Sequence, residues 1–95
     1  MGLVYLLHLD EPLGDINNPH GYAWHYIGYT ENLRERLRRH RNGNGSAMMA
    51  AAAERGIGFT LVRVWIGDKD LEKRLKRQHN ARRFCPICRR EHGQA

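Results

Sequence analysis

His25–His40, HYIGYTENLRERLRRH, is the stretch on which the fold turns. Trp24, just before it, and Tyr26 and Ile27 within it are β-formers, so it opens as a strand. Gly28 lets another group approach the backbone closely. The chain then turns at Tyr29–Glu31 and enters a helix. Asn32 with Glu35 three residues on is a capping-box-like start. Leu33 and Leu37, one turn apart, supply the face to be buried. Arg36 and His40, also one turn apart, sit beside that face. One strand–turn–helix unit thus aims a tyrosine, an arginine and a histidine toward one region.

Working outward, Gly2–Leu9 reads as a strand, because its apolar run is too brief for a helix. Asp10–Gly21, rich in Asp, Asn, Gly and Pro, reads as a loop. Ala23–Gly28 is a second strand, antiparallel to the first. Asn42–Ser46, NGNGS, stops the first helix with glycines that can take positive φ. Ala47–Arg55 is a short Ala- and Met-rich helix, and its Met48 and Met49 read as core filler. Gly58–Ile66 is a third strand without regular alternation, which predicts burial on both faces. Asp68 or Asp70 caps a last helix that runs to about Gln78, with Leu71 and Leu75 inward and Glu72 beside them. From His79 onward the tail reads as basic and irregular. The expected fold is α+β: a small three-stranded antiparallel sheet flanked by helices, in the order ββααβα. Residues 1–80 form the domain and 81–95 a basic tail.

The chain has 95 residues and a net charge of +6. Such a length predicts one domain with a small core. Arg34, Arg36, Arg38, Arg39 and Arg41 crowd the first helix. Lys73, Arg74, Lys76, Arg77, Arg82, Arg83, Arg89 and Arg90 fill the C-terminal region with no acid among them. These clusters hold 13 of the 16 basic residues. A solvated face is the plainer reading, but two clusters with few compensating acids point to nucleic acid. Arg34, Arg38, Arg39, Lys73, Lys76, Arg77, Arg82 and Arg83 are the candidate DNA contacts. No run approaches the roughly 20 apolar residues of a membrane span, and the start lacks a basic leader. The expectation is a soluble, cytoplasmic protein with no membrane partner. Both cysteines lie in Cys85-Pro86-Ile87-Cys88, half a zinc site that His79 and His92 could complete. The short tail and the lack of a second pair weigh toward a reduced or redox-sensitive surface pair instead.

Leu3-Val4-Tyr5, then Tyr26-Ile27-Gly28, then Asn32–Leu37 and a late-helix Glu72 resemble the GIY-YIG nuclease superfamily, over about Leu3 to Asn80. The first triplet has Leu-Val for Gly-Ile but keeps its tyrosine; the second is intact. The resemblance implies hydrolysis of a DNA phosphodiester with Mg2+ or Mn2+. It makes Tyr5 the general base or the group that positions the attacking water, and Tyr26 the second tyrosine of the site. Arg36 matches the arginine of the first helix, His40 a histidine or tyrosine one turn on, and Glu72 the carboxylate that binds the metal. Asn80 is a looser match to an asparagine after that glutamate. Tyr29 stands where some relatives have a phosphate-binding lysine.

The chemistry agrees in outline. Phosphodiester hydrolysis needs a deprotonated water, neutralisation of charge on the phosphorane oxygens and help for the departing oxyanion. A phenol of pKa near 10 is a poor base unless cations assist it. Arg36 offers a planar fork matched to phosphate, and His40 can accept a proton from Tyr5 or from water. One carboxylate implies one hydrated magnesium. Each residue also has a plainer use: the tyrosines as strand packing, Arg36 as a solvated charge, His40 as a helix C-terminal cap, Glu72 as a partner of Lys69 or Lys76. The alternative function is a nucleic-acid-binding module on the same fold without catalysis. Target choice would come from the basic tail, a homodimer or a separate targeting protein.

Overall fold

The apolar run near the start of the chain becomes the middle of the sheet. In the computed structural model, which describes residues 2–15, 18–78 and 81–88 (the side chains at 15, 18–22 and 82 excepted), the elements follow in order. They are β1 (Leu3–Asp15), β2 (Asn18–Thr30), α1 (Leu33–Arg41), α2 (Ala47–Glu54), β3 (Phe59–Ile66), α3 (Lys69–Gln78) and the single turn α4 (Ala81–Phe84). The sheet has the order β2-β1-β3, with both pairings antiparallel. The α+β class and the order ββααβα hold, with α4 added.

Central position explains the composition of β1. Val4, Tyr5, Leu6 and Leu7 have no exposed surface, as a strand covered on both faces requires. That role was expected of β3, and the structure reverses it. β3 is an edge strand whose Leu61, Val64 and Ile66 are exposed. Its irregular apolar pattern comes from being covered only in places.

The expected loop at 10–21 is also corrected. β1 and β2 continue through most of it, pairing Leu13 with Ala23 and Asp15 with Asn18 after a register shift beyond the His8–His25 pair. The Asp, Asn, Gly and Pro residues of this stretch make it read as a loop, Pro12 among them. β1 pairs with β3 only as far as Leu9 opposite Phe59. The Asp10 N–H still donates to the Gly58 carbonyl at 2.9 Å, but among the described residues Pro12 has no partner in β3, so a proline without an N–H is tolerated there.

The alternation of β1 sorts the core into two layers. Tyr5, Leu7, Leu9 and Leu13 face α1 and α2, packing with Met49, Leu33, Leu37 and Phe59. Val4 and Leu6 face the other way, with Ile27 of β2, Leu71 and Leu75 of α3, and Phe84, Cys85 and Cys88. Each large side chain so buried contributes about 1.5–3 kcal/mol. Residues 81–88 are therefore packed rather than irregular, and the cysteines are buried at 0% and 5% exposure instead of lying on the surface.

The helices start where capping chemistry places them. Asn32 accepts a hydrogen bond from the Glu35 N–H at 3.1 Å, Ser46 from the Met49 N–H at 3.1 Å, and Asp68 from the N–H groups of Asp70 and Leu71. Each satisfies donors that a helix start leaves open. The Glu35 carboxylate pairs with Arg38 and Arg39. Gly43, at φ +79°, ends the turn after α1. Among the described residues no helix is long and apolar enough to cross a membrane.

Candidate active site beside the edge strand

Tyr5 and Tyr26 project from neighbouring strands onto the α1/α2 side of the sheet. Tyr5 lies opposite Gly28, and Tyr26 opposite Leu7. Their ring centroids are 6.1 Å apart. His40, on the last turn of α1, closes the triangle at 5.8 Å from Tyr5 and 5.2 Å from Tyr26. The Tyr5 hydroxyl is hydrogen-bonded to His40 Nε2 at 2.7 Å. Both side chains are buried, with His40 at 1% exposure.

Two glycines make that contact possible. A Cβ on Gly28 would collide with the Tyr5 hydroxyl, and one on Gly45 would collide with His40 Nδ1 and Cε1. The close approach expected at Gly28 is thus to the Tyr5 phenol. Gly45 reads in the sequence only as a helix stop; its role is to let the loop backbone lie against the imidazole. Among the described residues, His40 Nδ1 has no hydrogen-bond partner. An unmet buried polar group costs about 1–3 kcal/mol, so the ring is held here against a local penalty.

The electrostatics favour the neutral forms of both groups. Burial, and then the Arg36 charge, lower the His40 pKa from 6.5 to about 4. Burial, followed by Tyr26, pushes the Tyr5 phenol well above its ordinary value; Glu72 adds to this, and a hydrogen bond and charge from Arg36 oppose it. The Tyr5 hydroxyl therefore feels both Arg36 and Glu72. Arg36 Nη1 also donates to the Tyr29 carbonyl at 3.3 Å, which fixes the guanidinium at the end of β2. The corresponding phenol, Tyr29, packs on the α3/α4 side of the sheet, away from Tyr26.

Glu72 comes from α3, which borders β2. Its carboxylate meets Lys76 Nζ at 3.1 Å, and Lys76 lies 5.6 Å from the centroid of the Tyr26 ring. A concavity of about 270 Å³ opens beside Tyr26, lined also by Met48 of α2 and by Leu75 and Lys76 of α3. The site thus sits where the two helical layers meet at the β2 edge. Of the five candidate residues, Tyr26 lines this concavity; Tyr5 and His40 meet the Tyr26 ring from the interior, Arg36 is held at the end of β2, and Glu72 reaches the Tyr26 ring through Lys76. Lys76 joins them as the Glu72 partner that helical spacing offers, besides being a candidate DNA contact. Asn80 lies outside the described residues.

The candidate DNA-binding residues divide between two helices. Arg34, Arg38 and Arg39 are exposed on α1, with the last two paired to Glu35. Lys73, Lys76 and Arg77 are exposed on α3, and Arg83 on α4; the Arg82 side chain is outside the described set.

A second cluster lies on the opposite face of the sheet. His8 Nδ1, His25 Nε2, Cys85 Sγ and Cys88 Sγ all fall within 4.8 Å of one another and could hold a metal ion. Two thiols and two imidazoles suit zinc rather than magnesium, which prefers oxygen. His79 and His92, the ligands expected for the thiols, are outside the described residues. The sequence does not point to His8 and His25, because only the strand register reveals that they are cross-strand partners.

Compared with known proteins, the chain matches no family model, no curated protein and no solved structure.

Proposed function

We propose that this protein is a divalent-metal-dependent DNA endonuclease that hydrolyses a phosphodiester, as a nick or a double-strand cut. The observation that carries the proposal is the Tyr5 hydroxyl 2.7 Å from His40 Nε2, with the Tyr26 ring beside both. The exposed basic residues of α1 and α3 supply the sequence-independent attraction for the DNA backbone.

Tyr5 acts as a proton carrier rather than a standing phenolate. Its O–H donates to neutral His40 Nε2. As water attacks phosphorus, its proton passes to the Tyr5 oxygen and the Tyr5 proton passes to Nε2, leaving the phenol neutral and the imidazole charged. Arg36 disfavours that imidazolium in the free protein. A phosphate seated on Arg36 offsets this charge and makes His40 a better acceptor when substrate is present. Arg36 also meets the charge that grows on the phosphorane oxygens. Tyr26, partly exposed beside the concavity, orients the phosphate. The donor chemistry of Glu72, now paired with Lys76, fits one hydrated Mg2+ or Mn2+, which this carboxylate would hold. The ion supplies Lewis-acid neutralisation of the phosphate and the leaving oxygen.

A second reading, DNA binding without cleavage, is favoured by one observation: Tyr5 has no exposed surface, so substrate must reach it past Tyr26 and Arg36. Supercoiled plasmid in magnesium separates the two. Glu72→Ala should bind DNA as the unaltered protein does and produce no open circle. Cleavage by Glu72→Ala at the unaltered rate would remove Glu72 from the mechanism, and salt-dependent binding with no product from the unaltered protein would favour the binding module.

A further inference from the structure

We propose that His8, His25, Cys85 and Cys88 form a structural zinc site that fastens the C-terminal segment to the β1–β2 hairpin. The proposal is independent of the nuclease reading.

The distances carry it. Zinc bound tetrahedrally at about 2.3 Å from sulfur and about 2.0–2.1 Å from nitrogen sets its ligand atoms about 3.3–3.4 Å apart for two nitrogens and about 3.5–3.6 Å for nitrogen and sulfur. His8 Nδ1 and His25 Nε2 are 3.3 Å apart. His8 Nδ1 lies 3.5 Å from Cys85 Sγ and 3.7 Å from Cys88 Sγ. His25 Nε2 lies 3.4 Å from Cys88 Sγ. Four edges of the ligand tetrahedron therefore lie within about 0.1 Å of the lengths that zinc imposes, and the other two lie within 4.8 Å.

Chemistry and position agree. Cys85 and Cys88 are thiols rather than a disulfide. They are buried against Val4, Leu6, Ile27 and Leu75, while the histidines are only partly buried. Both halves of the site are preorganised: His8 and His25 are paired across β1 and β2, and the Trp24 ring stacks on His8 with centroids 5.9 Å apart. The thiols come from one Cys-x-x-Cys turn.

The site suits what a chain of this size needs. Small domains bury little apolar surface, and a metal adds what the core lacks. Here a shared ion would link His8 to Cys88 across a separation of 80 positions, and such closure restricts the unfolded chain. The fastened segment directly follows α3, which carries Glu72 and Lys76, and His25 directly precedes Tyr26. Zinc on one face of the sheet would thus hold the edge that bears the other site.

Elemental analysis and cobalt substitution test the proposal. The protein purified under reducing conditions should carry one zinc per chain. Replacement by Co2+ should give tetrahedral visible absorption with a thiolate charge-transfer band. His25→Ala should weaken zinc binding by at least the about 10–100-fold that even changes beyond the ligands cause. If that variant does not fold, a strong chelator added to the unaltered protein gives the same answer: zinc should leave with a fall in Tm that added Zn2+ restores. A folded protein that carries no zinc, takes up Co2+ without thiolate absorption, or keeps its Tm in chelator would overturn the site. A Cys85–Cys88 disulfide in such a sample would identify the pair as a redox couple instead.

Discussion

His40 should make the stability of this protein fall in mild acid, and the size of the fall follows from its surroundings. The imidazole is 1% exposed, and burial with the Arg36 charge lowers its pKa from 6.5 to about 4. The unfolded chain binds a proton near pH 6.5, and the folded chain does so only near pH 4. The stability that neutral His40 provides is complete above pH 6.5 and is lost as the pH falls from 6.5 toward 4. At about 1.4 kcal/mol per pH unit the full loss is about 3 kcal/mol, of which about 2 kcal/mol falls between pH 7 and pH 5. Against a total of about 5–15 kcal/mol for such a domain, that is a large share.

The assay is urea unfolding of the unaltered protein and of His40→Gln at intervals from pH 7.5 to 4.5. Contributions of the other histidines, and proton competition at the proposed zinc site, are common to both proteins and cancel in the difference. The unaltered protein should lose about 2 kcal/mol more than the variant between pH 7 and pH 5. The His40 ring protons should show no NMR titration near pH 6.5. Equal pH dependence in the two proteins, or a His40 titration at 6.5, would refute the buried neutral imidazole and with it the proton acceptor.

Two further outcomes follow from the same geometry. Gly45→Ala places a methyl group where His40 Nδ1 and Cε1 lie, so the ring must shift away from Tyr5. A displacement of about 1 Å costs about 100-fold in rate, which single-turnover cleavage would register while DNA retention stays unchanged. Lys73→Gln with Arg77→Gln should weaken DNA binding alike on unrelated sequences. It should also flatten the plot of log affinity against log salt, by about one unit for each phosphate that is no longer neutralised. An unchanged slope would move the DNA surface elsewhere.

Much of the fold is legible in the sequence because its signals are local. Asn32 and Asp68 mark helix starts through bonds to N–H groups two or three residues on, and Leu33/Leu37 and Leu71/Leu75 mark the inward faces one turn apart. What failed was non-local. Pro12 lies in a strand only because β3 ends at Phe59, and β3 is an edge only because β1 lies between it and β2. Of the five residues named from spacing and resemblance, Tyr5, Tyr26 and His40 lie together, with Arg36 at the end of β2 and Glu72 paired to Lys76 on α3. Gly45 could not be named in this way, since its function is to be thin beside a ring five positions earlier. His8 and His25 belong to a cluster that exists only once β1 and β2 are in register and the Cys-x-x-Cys turn has folded back over the sheet.

Conversion of supercoiled plasmid to open circle in magnesium, by the unaltered protein and by Tyr5→Phe, bears most directly on the proposed chemistry. Tyr5→Phe keeps the ring in its slot against Gly28 and removes only the oxygen that hands a proton to His40. The unaltered protein should nick in a metal-dependent manner, and Tyr5→Phe should lose about 10²–10⁴-fold in rate while binding DNA as before. A nicking rate in Tyr5→Phe equal to that of the unaltered protein would contradict the phenol–imidazole relay.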